Sequence, residues 1–228
     1  MIQKDTEANN RITKIRNWLY RIRAPKRTEK KNAVIATVLF LLVGIVLGMF
    51  AKWLDNLALD DTIWWHRIAE KLDLGNFFSE MAVWLLAALL IAVFSRSAFR
   101  AAWNVFAFFA GMCAAYHAYT ILFSGFNPAS YMLIWYGITL VSPILAVLCW
   151  FARGSGPVPI LLDIVILAVF LLACFGFGFI YITFRGILYC LVFIGAAAAL
   201  YRTPKQLLIS LPIGFLLAFV LSPVWPFQ

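Results

Sequence analysis

Three titratable residues lie inside long apolar segments of this sequence, and they are the first candidates for chemistry. Glu80 lies three residues into one segment, Asp163 lies five residues into another, and His117 lies deeper in a third. A charge at the centre of a membrane span costs roughly 2.5 to 3.5 kcal/mol, so an ionisable residue that persists there often serves a function. Because Glu80 and Asp163 are near segment ends, the alternative is that both reach lipid headgroups or water.

Aromatic residues accompany Glu80 and His117 along the chain. If neighbouring segments pack as antiparallel helices, the two residues lie in the same outer part of the membrane. Ligand sites combine aromatic walls with a few polar groups. The sequence therefore predicts an outward-facing ligand pocket lined by Glu80, Trp84, Tyr116, His117, Tyr119, Trp135 and Tyr136. Asp163 is a further polar candidate on the inner side. The alternative is an aromatic belt at the interface with one hydrogen-bonded histidine.

Motifs of known catalytic mechanism are absent from the sequence. It contains no HExxH, no GxSxG and no glycine-rich phosphate loop. Its cysteines stand singly in four apolar segments, at Cys113, Cys149, Cys174 and Cys190. We therefore predict no metal site, no cofactor and no catalytic residues, and an enzyme is the least supported class.

The apolar segments themselves must position these candidates. Of 228 residues, 64% are hydrophobic and 13% are charged, with a mean hydropathy of +0.90, whereas about a quarter of the residues in soluble domains are charged. An apolar helix of about 20 residues crosses a bilayer. The sequence predicts an all-α polytopic bundle with about seven spans, at residues 33–51, 77–94, 99–123, 131–151, 158–182, 187–201 and 207–222. The last two segments are short, and a re-entrant pair would reduce the count to five.

Basic residues divide unequally between the two sides of such a bundle. The net charge is +9, and ten of the nineteen Lys and Arg residues precede Asn32. With seven spans, fifteen fall on one side, and only Lys52, Arg67, Lys71 and Arg185 fall on the other. Because positive loops remain in the cytoplasm, the N-terminus is predicted inside and the C-terminus outside.

Residues 1–32 are predicted to form a basic cytoplasmic tail that contains an amphipathic helix. Its apolar side is formed by Ile12, Ile15, Trp18, Leu19 and Ile22, and Pro25 ends it. A basic helix of this kind binds anionic lipids at the inner leaflet. A disordered tail that only fixes topology is the alternative. No motif accompanies the charge that would indicate nucleic acid.

A second amphipathic helix is predicted at about residues 60–72, in the longest outer loop. Asp60 or Asp61 can cap it, and Trp64, Ile68 and Leu72 fall on one side. We expect this helix to lie along the outer interface, either as a plain connector or as a lid over the pocket. The remaining domain, residues 33–228, is then one transmembrane unit.

Small residues repeat at four-residue spacing in three segments. They are Gly44 with Gly48, then Ala107, Gly111 and Ala115, then Gly195 with Ala199. This spacing allows close approach of helix backbones. Most of these faces are expected to pack internally, and the first one can instead contact another subunit.

Several short motifs together resemble a known group of proteins. They are Lys52-Trp53-Leu54-Asp55, Trp64-Trp65, Asp73-Leu74-Gly75-Asn76, Asn104-Val105-Phe106, Gly111-Met112, Tyr116-His117 and Trp150. Over roughly residues 44–150 the chain resembles an uncharacterised family of small multi-pass membrane proteins from Gram-positive bacteria. The resemblance implies a bacterial cytoplasmic membrane and no particular activity. In size the chain is also similar to the vitamin-binding membrane subunits of energy-coupling transporters, but those have six helices.

Two functional hypotheses follow from these features. In the first, the protein binds or transports a small solute through the outward-facing pocket. In the second, it is an accessory or scaffold subunit that contacts a membrane protein partner through its tail and small-residue faces. A lipid-modifying membrane enzyme is a third and weaker hypothesis.

Overall fold

The computed structural model describes residues 2–27, 29–60, 62–178 and 181–225, with the backbone alone for residues 2–10 and 12. The described residues form α-helices and one antiparallel hairpin. The helices are α1 (Ile2–Ile22), α2 (Lys30–Asp55), α3 (Trp64–Lys71), α4 (Leu74–Ser79), α5 (Met81–Phe94), α6 (Ala98–Tyr119), α7 (Ala129–Ala152), α8 (Pro157–Cys174), α9 (Ile187–Leu200) and α10 (Pro204–Leu221). The hairpin strands are β1 (Phe175–Phe177) and β2 (Ile182–Phe184). A π-helical turn, Thr120–Ser124, extends α6.

Five helices are long and apolar enough to cross a membrane. They are α2, α7, α8, α6 together with its π-helical turn, and α10 together with the short helical turn that directly follows it. Helices α5 and α9 are also apolar but have only 14 residues each. The predicted all-α helical bundle is thus confirmed, with five candidate membrane-spanning helices. Such helices indicate a membrane protein.

Close packing of α2 against α6 is made possible by glycine. A Cβ atom at Gly44 would overlap the carbonyl oxygen of Phe108, and one at Gly48 would overlap that of Met112. From the other side, a Cβ at Gly111 would overlap the carbonyl oxygen of Leu41. The small-residue face of the first apolar helix is therefore occupied inside the bundle, as close backbone packing requires.

Helix α7 continues through a proline because a neighbouring hydroxyl replaces the missing donor. Pro143 has no N–H and leaves the carbonyl oxygen of Thr139 without its helical partner. The Oγ atom of Ser142 donates to that oxygen at 2.8 Å. The hydroxyl of Thr139 in turn donates to the carbonyl oxygen of Trp135 at 2.8 Å. This arrangement keeps the backbone polar groups satisfied in the apolar interior.

Two predicted segments are less continuous than hydropathy alone indicates. The segment at 77–94 is interrupted at Glu80, whose extended backbone (φ −91°, ψ 165°) separates α4 from α5. The segment at 158–182 leaves the helix after Cys174 and becomes the hairpin, where Gly176 pairs with Thr183. Glycine is unfavourable in the interior of a helix. In the hairpin its small size is useful, because a Cβ at Gly176 would lie 3.3 Å from the Cβ of Thr183. Both differences bring polar backbone to the same end of the bundle.

The predicted amphipathic helix of the tail is present as α1, which ends before Pro25. Its last residue, Ile22, is buried, and its carbonyl oxygen accepts from the N–H of Ser155 at 2.8 Å. Ile15 and Trp18 are exposed, whereas the side chain of Ile12 lies outside the described residues. The end of α1 is thus attached to the bundle, while its middle turns an apolar side outward.

Arg23 fixes this attachment. Its guanidinium donates to the carbonyl oxygens of Trp150 and, at 2.9 Å, Val93, and it lies 4.4 Å from the centre of the Trp150 ring. Burial, with the nearby charge of Arg153 adding to it, lowers the pKa of Arg23 to about 10. Since that pKa is still far above neutral pH, the side chain remains a cation when it donates these bonds.

The predicted helix at 60–72 is present as α3 but begins at Trp64, and Ile63 occupies the capping position. Asp60 instead accepts hydrogen bonds from the backbone and hydroxyl of Thr62, at 2.9 and 2.7 Å. Asp61 lies outside the described residues. Trp64 and Ile68 are exposed, so the predicted apolar side of this helix faces away from the bundle.

Hydrogen bonds between loops define two ends of the bundle. At one end, which we call the basic end, the N–H of Lys26 donates to the carbonyl oxygen of Arg96 at 2.7 Å, and Arg202 donates to that of Gly154. The attachment of α1 lies at the same end. The opposite end, which we call the Glu80 end, contains Glu80 and the hairpin, and there Glu80 pairs with Arg185.

Candidate functional site

The site at the Glu80 end begins with an ion pair. Glu80 caps α5 by position but makes no capping hydrogen bond with its side chain, which is therefore available to other groups. Its Oε1 atom accepts from Nη2 of Arg185 at 2.5 Å. Arg185 lies between β2 and α9, donates Nη1 to the carbonyl oxygen of Ala173 at 3.2 Å, and lies 4.9 Å from the ring centre of Tyr189. The break before α5 and the hairpin after α8 thus bring the two charges together.

A cavity of about 280 Å³ lies against this pair. The ion pair forms its charged side, and the aromatic side is formed by Tyr131, Trp135 and Trp225. The hydroxyl of Tyr131 donates to the carbonyl oxygen of Ser79 at 3.3 Å, which ties the start of α7 to the break before α5. The side chains of Arg185 and Glu80 are 28% and 32% exposed, so both charges are open to a solute. The cavity combines aromatic walls with converging polar groups, as ligand sites do.

Three of the predicted pocket residues lie deeper, around a smaller void. Trp84, Tyr116 and Trp135 line a space of about 20 Å³ together with the ring of Tyr131. The indole N–H of Trp84 donates to the carbonyl oxygen of Phe78 at 2.9 Å, so its polar atom is already satisfied. A space of this size accommodates one water molecule at most. These side chains therefore form an aromatic base beneath the cavity, and Trp135 belongs to both.

His117 belongs to a separate hydrogen-bonded group. Its Nδ1 atom lies 2.5 Å from the hydroxyl of Tyr136, and its Nε2 atom lies 2.8 Å from Oδ1 of Asn127. Tyr119 packs on Phe123, with ring centres 4.7 Å apart. The structure therefore gives His117 and Glu80 different partners, and neither His117, Tyr136 nor Tyr119 lines the cavity.

Sequence reasoning did not assign Arg185 or Trp225 to the site. Arg185 was placed on the outer side by its position in the chain, but the order of segments does not say which helix lies beside it. A usable signal was present, because a single arginine flanked by apolar segments requires a partner. Glu80 is the acidic residue nearest to a segment end on the same side. Trp225 follows the last apolar segment, where sequence offers no comparable constraint.

Asp163, the inner-side candidate, lies in a buried polar cluster near the basic end. Its carboxylate is fully buried and accepts from the guanidinium of Arg202 and, at 2.7 Å, from Nε2 of Gln206. Oδ1 of Asp163 and the hydroxyl of Ser210 have no hydrogen-bond partner among the described residues. Gln206 and Ser210 are one turn apart on α10, so both are on the side that faces α8. The ion pair joins α8 to the α9–α10 connection.

The described residues do not supply a metal site. Among residues 2–27, 29–60, 62–178 and 181–225, no three His, Cys, Asp or Glu side chains are grouped as metal ligands. The cavity at the Glu80 end is lined by one carboxylate, one guanidinium and aromatic side chains.

The fold and site together define a multi-pass helical membrane protein with a charged, aromatic cavity at one end. No protein-family model, no curated protein and no solved structure matches this chain. The resemblance of residues 44–150 to a family from Gram-positive bacteria therefore stays a prediction.

Proposed function

We propose that this protein crosses a cytoplasmic membrane seven times, with the basic end inside and the Glu80 end outside. The two short helices support this count, because each joins the two ends of the bundle. Helix α5 runs from Glu80 to the turn containing Arg96, and α9 runs from Arg185 to Arg202. At about 1.5 Å per residue, 14 residues cover only about 21 Å.

The function that the geometry supports best is binding of a small solute in the cavity at the Glu80 end. This proposal rests on the partly exposed Glu80–Arg185 ion pair. The pair lines a cavity of about 280 Å³ whose other side is formed by Tyr131, Trp135 and Trp225. Two adjacent opposite charges match a solute whose head carries both charges, and the aromatic wall suits an apolar or cationic body. Transport of that solute is the further step of the same hypothesis.

A ligand screen on the purified protein tests this proposal. Small zwitterionic and cationic aromatic compounds are added, and both thermal stability and tryptophan fluorescence are measured. A solute in the cavity is expected to raise the melting temperature, since a ligand that binds only the native state stabilises it. It is also expected to change the tryptophan emission of the protein, since Trp135 and Trp225 line the cavity, and both effects should decrease in Glu80→Gln and Arg185→Gln.

Matched controls separate the cavity from general effects of charge. Arg67→Gln and Glu70→Gln make the same changes on exposed positions of α3. Both variants should bind the solute as the unaltered protein does. The proposal is wrong if a stabilising compound acts equally on the Glu80 and Arg185 variants, or if no compound of these classes acts at all.

The partner hypothesis loses one of its two supports. It relied on the basic tail and on small-residue faces, but Gly44 and Gly48 pack against α6 within the chain. Solute binding is therefore the function we put forward.

A further inference from the structure

A groove opens sideways between α2 and α5 near the basic end, with α6 as its floor. Its volume is about 430 Å³. Its walls are apolar and are formed by Ala33, Ala36, Phe40, Leu90, Ile91 and Phe94. The polar residues that line the groove lie towards the basic end and are Asn32, Ser95, Arg96, Arg100 and Asn104. The groove therefore has an amphiphilic character, with one charged end and apolar sides.

A hydrogen-bond network holds the charged end in place. Nη2 of Arg100 donates to the carbonyl oxygen of Ala33, to the hydroxyl of Thr37 and, at 3.3 Å, to Oδ1 of Asn104. Asn104 is only 4% exposed and donates Nδ2 to the hydroxyl of Ser95 at 3.2 Å. These bonds orient the guanidinium of Arg100 before any ligand arrives, which lowers the entropic cost of binding.

The guanidinium groups of Arg96 and Arg100 retain free hydrogen-bond donors within the described part of the chain. In the described part of the chain, Nη1 and Nε of Arg100 have no hydrogen-bond partner, and neither has the exposed guanidinium of Arg96. No carboxylate lines the groove. Two guanidinium groups without a protein anion are the groups that bind phosphate best, since they offer parallel N–H donors.

We propose that this groove binds an anionic phospholipid. Arg96 and Arg100 hold its phosphate, and an acyl chain lies along Phe40, Leu90 and Phe94. The apolar walls distinguish a phospholipid from free phosphate, because a free ion would leave them without a partner. The groove is near the basic end of the bundle, whereas the solute cavity is at the Glu80 end. That the lipid comes from the inner leaflet rests on the orientation proposed above.

Native mass spectrometry of the protein with defined lipids tests this site. Phosphatidylglycerol is expected to stay bound in preference to phosphatidylcholine. Removing one arginine near an anionic lipid weakens binding by about fivefold, which corresponds to about 1 kcal/mol. We expect that loss in Arg96→Gln, whose side chain is exposed. Ala36→Phe, which fills the groove without changing charge, should weaken binding as well. Lys205→Gln, an equal charge change at the basic end but outside the groove, should not.

Each other outcome contradicts the proposal. Equal retention of phosphatidylglycerol by the unaltered protein, Arg96→Gln and Ala36→Phe would show that the lipid binds elsewhere. Equal retention of both lipids would show that charge is not recognised. Release of phosphatidylglycerol by millimolar inorganic phosphate would show that the groove recognises the ion and not the lipid. Solute binding at the Glu80 end does not involve Arg96, so failure of one proposal leaves the other intact.

Discussion

Replacing Asp163 by asparagine breaks the buried ion pair between α8 and the α9–α10 connection and is expected to destabilise the protein. The change keeps the size of the side chain but removes the charge that faces Arg202 and Gln206. Removing one partner of a buried ion pair typically costs 3 to 5 kcal/mol, because the other charge stays buried. Arg202 is 18% exposed and still donates to the carbonyl oxygen of Gly154. The expected loss for Asp163→Asn is therefore at the lower limit, about 3 kcal/mol.

Replacing the other partner of the pair, Arg202, is expected to lower the free energy of unfolding by more. In Arg202→Gln the carboxylate of Asp163 stays fully buried and keeps only the hydrogen bond from Gln206. We expect a loss of about 4 to 5 kcal/mol for this variant. In the double variant Asp163→Asn with Arg202→Gln no isolated charge remains, so the total loss should be smaller than the sum of the single losses by about 2 kcal/mol or more.

Unfolding in mixed micelles by a denaturing detergent, followed by circular dichroism, measures these differences. Glu70→Gln provides the control, since it removes one carboxylate charge from an exposed position of α3. Such an exposed charge is expected to contribute less than about 1 kcal/mol. Additive losses in the Asp163 and Arg202 variants would refute the reasoning, because they would mean that the two side chains do not interact in the folded protein.

Three further predictions concern helix packing, the tail and the outer loop. Gly44→Ala should destabilise the protein by about 1 to 3 kcal/mol in the same assay, because its Cβ overlaps backbone, whereas Gly137→Ala, where the space is open, should be neutral or stabilising. In Arg23→Gln, hydrogen exchange of the α1 amides should become at least about tenfold faster, since hydrogen bonds from a charged donor are lost; unchanged exchange would mean that other contacts hold α1. In Thr62→Val, carbon NMR should show a higher pKa for Asp60, because the hydroxyl that lowers it is gone. A pKa held down in this way stabilises the loop above the unfolded pKa, and the stabilisation disappears as the pH falls through the folded pKa.

The helical segments were predictable because hydropathy is a local property. All seven predicted apolar segments contain a helix in the structure, and five of these helices are long enough to cross a membrane. The predicted segment bounds differ from the helices where single residues interrupt an apolar stretch. Residues 175–182 are apolar enough to continue α8, but Gly176 and Gly178 favour the hairpin. Glu80 ends α4 within a continuous apolar stretch, because its charge is satisfied at a helix end and not within one.

The partners of the site residues were less predictable, because they depend on which helices are neighbours. Glu80 and Arg185 are separated by 105 positions in the sequence, and nothing local connects them. His117 was near Glu80 in predicted depth, but depth alone does not fix the direction in which a helix turns its side chains. The structure satisfies His117 through Tyr136 and Asn127, which lie just after it in the chain. Because Glu80 and His117 have different partners in the structure, a common depth would not by itself make them neighbours.

The cationic side chains at the two ends of the bundle differ in their partners. At the Glu80 end, the buried or half-buried cations pair with carboxylates, as Lys52 does with Asp55 and Arg185 does with Glu80. At the basic end, Arg202 pairs with Asp163, but Arg23 and Arg100 donate to carbonyl and hydroxyl oxygens, which hold them in place and do not neutralise their charge. Carbonyl groups hold a guanidinium in place and leave its field available to anions outside the protein. In the orientation proposed above, the same side chains favour retention of this end in the cytoplasm and attract anionic lipid. On this reasoning, topology and lipid preference are two consequences of one charge distribution.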